Sequence, residues 1–222
     1  MKVAVALFAK APVAGRVKTR LIPALGAEGA CALYRAMVDD TLDSLAGTSC
    51  AVEIWFAGER WSRRGLPAFA QRGGDLGQRM RGAFAAMLRR SDAALIVGAD
   101  VPTLPRRCLR AALAHLERGD AVLGPAADGG YYLIGSREVP RFEAVRWSTS
   151  HALADTRRTV NARLLEPWYD VDRPEDLRLL RAHLELWPRA APHTARALGL
   201  WREAAPNRAA VPLPRACRRR HS

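Results

Sequence analysis

The chain has 222 residues, nearly half of them hydrophobic, with 35 basic against 22 acidic side chains and a net charge of +13; that length suits one domain with a sizeable core. Five arginines and no acid follow Glu203, so +5 of the charge lies in the tail, and the other arginines are scattered and not interleaved with aromatics, which argues against a nucleic-acid partner. Cys31, Cys50, Cys108 and Cys217 lie far apart with no C-x-x-C, which argues against a zinc site or disulfide scaffold and suits a reducing compartment.

The apolar run Val3–Ala9 reads as a buried first strand. It is too short to span a membrane and lacks a leader's cleavage region, so a soluble, cytoplasmic protein with no membrane partner is expected. The stretch Lys10–Arg20 follows, where Pro12 and Gly15 break regular structure. Gly26–Leu45 is a helix, with Ala30, Tyr34, Met37, Val38, Thr41, Leu42 and Leu45 on one face. Ala51–Ala57 is a second strand, and Gly58–Gly74 is irregular apart from a short strand near Phe69. Asp75 caps a helix running from Leu76 to about Arg90. Ala93–Val97 is a continuous apolar strand, ending in Gly98-Ala99-Asp100-Val101-Pro102. A helix starts near Pro105, and Ala121–Gly124 is the next strand. The Asp128-Gly129-Gly130 turn leads into a return strand, Tyr131–Gly135. Trp147-Ser148-Thr149 signals the start of a helix over Ser150–Asn161. Leu164–Val171 is a last strand, a helix follows from Pro174, and a short helix covers Thr194–Glu203. Strands alternating with helices predict a three-layer α/β/α fold with a mainly parallel sheet. Residues 1–203 form one domain, and 204–222 are expected to be a disordered basic tail.

Four features carry chemistry. Only three residues are lysine, and two of them, Lys10 and Lys18, stand in the first loop with Arg16 and Arg20. The loop has neither a Walker A nor a G-x-G-x-x-G pattern. If extended, it would point Arg16, Lys18 and Arg20 to one side, around the phosphates of a nucleotide. Asp100, just past a buried strand, suits a divalent metal in the crevice where a diphosphate would lie; the competing helix-cap role falls better to Thr103. Asp170 and Asp172 share a face if their strand persists. Asp172 alternatively caps the next helix with Glu175 at the third position. Asp128 makes a hairpin turn, or serves as a general base with Gly129 and Gly130 admitting a substrate.

Six motifs occur together and in order: Lys10-Ala-Pro-Val-Ala-Gly-Arg-Val-Lys-Thr-Arg-Leu21, Gly74-Asp-Leu-Gly-Gln-Arg-Met80, Gly98-Ala-Asp-Val-Pro-Thr-Leu104, Gly124-Pro-Ala-Ala-Asp-Gly-Gly-Tyr-Tyr-Leu-Ile-Gly135, Trp147-Ser-Thr149 and Asp170-Val-Asp-Arg-Pro-Glu-Asp-Leu177. The set resembles a bacterial family of small GT-A-fold transferases labelled as glycosyltransferases, some linked to arsenosugar biosynthesis. It is also similar to the phospholactate and molybdenum-cofactor guanylyltransferases. The resemblance covers about residues 2–187 and implies a nucleotide-diphospho-sugar transferase fold. It implies Mg²⁺ or Mn²⁺ on Asp100 and Asp172, and a catalytic group of Asp100, Asp128 and Lys18. The nucleotide would lie against Lys10, Gly15, Arg16, Lys18, Arg20, Asp75 and Arg79. A small-molecule acceptor would face Asp128, Gly129, Gly130, Tyr131, Trp147 and Ser148. The implied reaction is glycosyl transfer from a nucleotide sugar. The alternatives are nucleotidyl transfer from a nucleoside triphosphate to a phosphorylated acceptor, or nucleotide binding without catalysis.

Overall fold

Two apolar strands, β1 (Val3–Lys10) and β4 (Ala93–Gly98), run side by side and parallel at the centre of a seven-stranded sheet. The computed structural model describes residues 1–201. From β1 the sheet extends one way through β2 (Ala51–Ala57) to β3 (Ala68–Ala70), and beyond β4 through β6 (Tyr131–Ser136) and β5 (Ala121–Pro125) to β7 (Ala162–Leu164). Only β6 is antiparallel to its neighbours, and it slots between β4 and β5. The sheet is therefore mixed, with a parallel majority.

Strand alternation explains why β1 is apolar throughout. Val3, Val5 and Leu7 face α1 (Ile22–Ala46) and α3 (Arg106–Glu117), meeting Tyr34, Val38, Leu42, Leu109 and Leu116. Ala4 and Ala6 face the other way, onto Met80, Ala83, Phe84 and Met87 of α2 (Leu76–Leu88). The small alanines let α2 approach closely. Outside α1 a further layer forms, where Leu33 and Met37 meet Leu177, Leu180 and Leu184 of α5 (Pro174–Leu186) and Ala195 of α6 (Pro192–Ala197). By length and apolar content α1 could also cross a bilayer; here it is covered on two sides.

The helix expected from Gly26 begins at Ile22 and kinks at Gly26, whose φ of +70° glycine tolerates. Asp75 caps α2 as expected, accepting the Gln78 N–H at 2.7 Å. Three boundaries differ. The last strand stops at Leu164, and only an isolated bridge from Ala126 to Trp168 continues it. The helix expected over Ser150–Asn161 is α4 (Ala152–Thr159). The terminal helix starts earlier, at Pro192, and ends at Ala197. The tail 204–222 lies outside the described residues.

The topology delivers the chemistry to one edge. Parallel β1, β4 and β5 end together, so the loops after Lys10 and Gly98 and the β5–β6 turn emerge side by side. Segment 165–172 returns to the same edge, where the Val171 N–H donates to the Asp100 carbonyl at 2.9 Å.

Candidate active site

The loop after β1 is not extended. Arg16 N–H donates to the Val13 carbonyl at 3.0 Å, Gly15 and Lys18 have φ of +77° and +46°, and a 3-10 turn covers Thr19–Leu21. The expected alignment of Arg16, Lys18 and Arg20 is therefore lost. Arg16 turns outward to exposed Glu59 at 3.0 Å. Lys18 turns inward, with its side chain 3% exposed. Its ammonium donates to Asp100 Oδ1 and to the Val171 carbonyl (2.6 Å), and lies 3.6 Å from Asp172 Oδ1. The Tyr34 ring supports it from 5.9 Å. Arg20 donates to Asp172 Oδ2 at 2.5 Å. A non-glycine residue at positive φ has to be held by its surroundings, and these contacts hold Lys18.

Neither carboxylate caps a helix. Thr103, expected as the cap of α3, instead accepts from Trp168 Nε1 (3.1 Å) and donates to Tyr169 (3.0 Å), and Pro105 occupies the cap position. The cap of α5 lies one residue later than Asp172-x-x-Glu175 suggests. Asp176 accepts the N–H groups of Asp172 (3.0 Å) and Arg173 (2.7 Å), leaving the Asp172 carboxylate free for side chains. Asp100 and Asp172 stay 51% and 40% exposed while converging on one cationic group. Hard carboxylate oxygens brought together around a positive charge fit a divalent metal of the Mg²⁺ or Mn²⁺ kind.

Asp170 stands beside this pair, not on a strand but in the irregular return segment. Burial, and then the negative charges of Asp128, Asp176 and Asp100, push its carboxyl up to about 6. Asp128 itself accepts the Gly130 N–H at 2.8 Å in a turn. Gly129 does not open a path for substrate. Its φ is +87°, and a Cβ there would stand 2.3 Å from the Ser150 carbonyl, so the glycine admits the 148–151 loop.

The other expected site residues are spread out. Lys10 is exposed, and its N–H donates to Tyr34 Oη at 2.8 Å. Asp75 is occupied as a cap, and Arg79 Nε holds the Gly73 carbonyl at 3.1 Å. Trp147 packs edge-on to Tyr131 and Phe142 at 6.4 and 5.7 Å, against a helical glycine, Gly77, where a Cβ would stand 2.8 Å from the indole. Burial raises the Tyr131 hydroxyl's pKa above the ordinary tyrosine range. Ser148 is exposed at a φ of +60°.

Two features escape a reading of the sequence. Tyr34 looks like one more core residue of α1, yet burial and Asp100 keep its hydroxyl protonated while its ring underlies Lys18. Asp40 and Asp43 of α1 and His193, 150 residues beyond Asp43, bring donor atoms within 4.8 Å of one another. The α1–α6 contact brings them together, and Arg64 pairs with Asp43 beside them.

The mixed seven-stranded sheet and its flanking helices define the nucleotide-diphospho-sugar transferase fold. The family model described as "Uncharacterized protein conserved in bacteria (DUF2064)" matches residues 37–149, and the chain belongs to that family. A Desulfovibrio desulfuricans G20 protein, whose name proposes a nucleotide-diphospho-sugar transferase, is 30% identical with a TM-score of 0.79, over 90% of this chain and 97% of that one. Rv0371c from Mycobacterium tuberculosis H37Rv, solved in complex with manganese, shares the fold at 18% identity and a TM-score of 0.52, over 81% of this chain and 98% of its own. So does the 4-diphosphocytidyl-2C-methyl-D-erythritol synthase of Anaerococcus prevotii DSM 20548, at 10% identity and a TM-score of 0.52, over 83% and 96%. No match was found among curated proteins.

Proposed function

We propose that this protein is a metal-dependent glycosyltransferase that takes a nucleotide-diphospho-sugar at the carboxyl edge of its sheet. The observation that carries the reading is the convergence of Asp100 and Asp172, from two separate loops, on one cationic position beside Lys18 and Arg20. Asp100 and Asp172 would hold Mg²⁺ or Mn²⁺, which when bound neutralises charge on the departing diphosphate. Lys18 and Arg20 supply further positive charge for phosphate oxygens, Lys as a point charge and Arg as a fork. Asp128, with Asp170 beside it, would take a proton from an acceptor hydroxyl. The manganese complex of Rv0371c and the name of the D. desulfuricans relative support this reading.

The second reading is nucleotidyl transfer, in which a nucleoside triphosphate loses pyrophosphate to a phosphorylated acceptor. The two cations of the first loop favour it, because such a displacement needs charge neutralisation more than a base. The A. prevotii synthase name supports it. Incubation with panels of nucleotide sugars, triphosphates and acceptors, with Mn²⁺ present, separates the two. Release of a nucleoside diphosphate from a nucleotide sugar is the expected result. Pyrophosphate release from a triphosphate, with no nucleotide sugar consumed, would establish the second reading instead.

A further inference from the structure

The ammonium of Lys18 is bound by the oxygens that the proposed metal would need. Its hydrogen bonds go to Asp100 Oδ1 and the Val171 carbonyl, and Asp172 Oδ1 lies 3.6 Å away. An ammonium on these oxygens competes with a divalent cation for them, because like charges so close repel. The side chain lies beneath its partners: Lys18 is 3% exposed, while the two carboxylates are about half exposed and open to an ion from solvent. What lies under the ammonium is the Tyr34 ring, which attracts a cation without hydrogen-bonding it. The residue type fits as well. Of 35 basic residues in the chain only three are lysine. A compact ammonium on a flexible stem can imitate an ion and swing away, which a planar guanidinium cannot do as readily.

We propose that Lys18 is a tethered counter-cation: it fills the Asp100–Asp172 site in the metal-free protein, is displaced when a divalent cation binds, and is thereby released toward the nucleotide's phosphates. Metal binding and phosphate capture become one coupled event. Without metal, the lysine is held down, and the two carboxylates are neutralised instead of repelling each other and an incoming polyphosphate. This inference rests on the metal reading above.

The test uses the whole protein and Mn²⁺ alone. Amines are acylated under limiting reagent and quantified by peptide mass spectrometry, with exposed Lys10 as the internal standard. Lys18 is expected to react at least about tenfold more slowly than Lys10 without metal, and severalfold faster once Mn²⁺ is bound. Replacing the ammonium in Lys18→Met is expected to tighten Mn²⁺ binding by about tenfold, read by electron paramagnetic resonance. Mn²⁺ that binds, is lost in Asp172→Asn and yet leaves Lys18 labelling unchanged overturns the counter-cation and spares the metal reading. Unchanged or weakened Mn²⁺ binding in a folded Lys18→Met protein does the same; if that variant does not fold, the wild-type labelling decides. Mn²⁺ binding that survives Asp172→Asn overturns both.

Discussion

Two acidic clusters in this protein have similar composition and opposite character. At the α1–α6 junction, Asp40 accepts the backbone N–H groups of His193 (2.9 Å) and Thr194 (2.7 Å), and Asp43 pairs with Arg64 (2.5 Å) and His193 (3.0 Å). The Asp40 oxygens are committed to backbone that cannot leave without undocking α6, so Asp40 works as a clamp even though the cluster's donor atoms lie within metal-binding range. At the carboxyl edge of the sheet, Asp100 and Asp172 are held by lysine and arginine side chains, half exposed and on loops. Side-chain partners can rotate away; helix backbone cannot. Metal-like proximity is therefore a weaker guide to function than the mobility of whatever currently satisfies the oxygens.

The comparison breaks or sharpens under substitution. Asp100→Asn should abolish Mn²⁺-dependent nucleotide binding, lowering turnover by at least about 100-fold, with a thermal transition close to that of the parent. Asp40→Ala should do the reverse: it loses two helix-end acceptors, costs about 2 kcal/mol in urea unfolding, and leaves Mn²⁺ affinity alone. If Asp40→Ala also abolished metal binding, the clamp and the carboxyl-edge pair would have been assigned the wrong way round. Within the first loop, Arg20→Ala should weaken nucleotide binding by about tenfold in calorimetric titration, and Arg16→Ala by less than about twofold. The contrast follows from orientation: Arg20 joins Asp172, while Arg16 pairs outward with Glu59.

The smallest expected effect concerns pH. The native Asp170 carboxyl holds its proton more tightly than the unfolded chain's, near 6 against an ordinary 3.8. Its contribution to stability is therefore lost as pH rises through that window. In chelator, Asp170→Asn should remove this slope and raise the melting temperature at pH 7 by roughly 3 °C. No gain at pH 7, or the same gain at pH 4, would mean that the crowding of Asp170 by Asp128, Asp176 and Asp100 is relieved in solution.

Most of the elements were legible because each has a local cause. Continuous apolar runs mark β1 and β4, helical spacing marks α1, α2 and α5, and Asp75 marks the start of α2. The site was legible as a set of residues and not as an arrangement. Arg16, Lys18 and Arg20 alternate in the sequence, but a turn at Gly15 and the positive φ of Lys18 send Arg16 out to Glu59 while Lys18 and Arg20 meet at Asp172. Asp172 reads as a helix cap until Asp176 is seen to take that place. Glycines 129 and 130 suggest room for a ligand, yet the chain fills the space at Gly129 with its own Ser150.

The sequence alone thus determined the α/β class, the position of Asp100 just past a buried strand, the place of Lys18 in the first loop, and the ordered motifs of the family, since these depend on residue types and local periodicity. Tertiary structure alone decided that β6 inserts antiparallel between β4 and β5, that Tyr34 underlies the lysine, that Asp40, Asp43 and His193 meet, and that Lys18 rests between the two carboxylates. Those contacts join segments up to 154 residues apart (Lys18 to Asp172), and no local preference encodes which distant partner a side chain will meet.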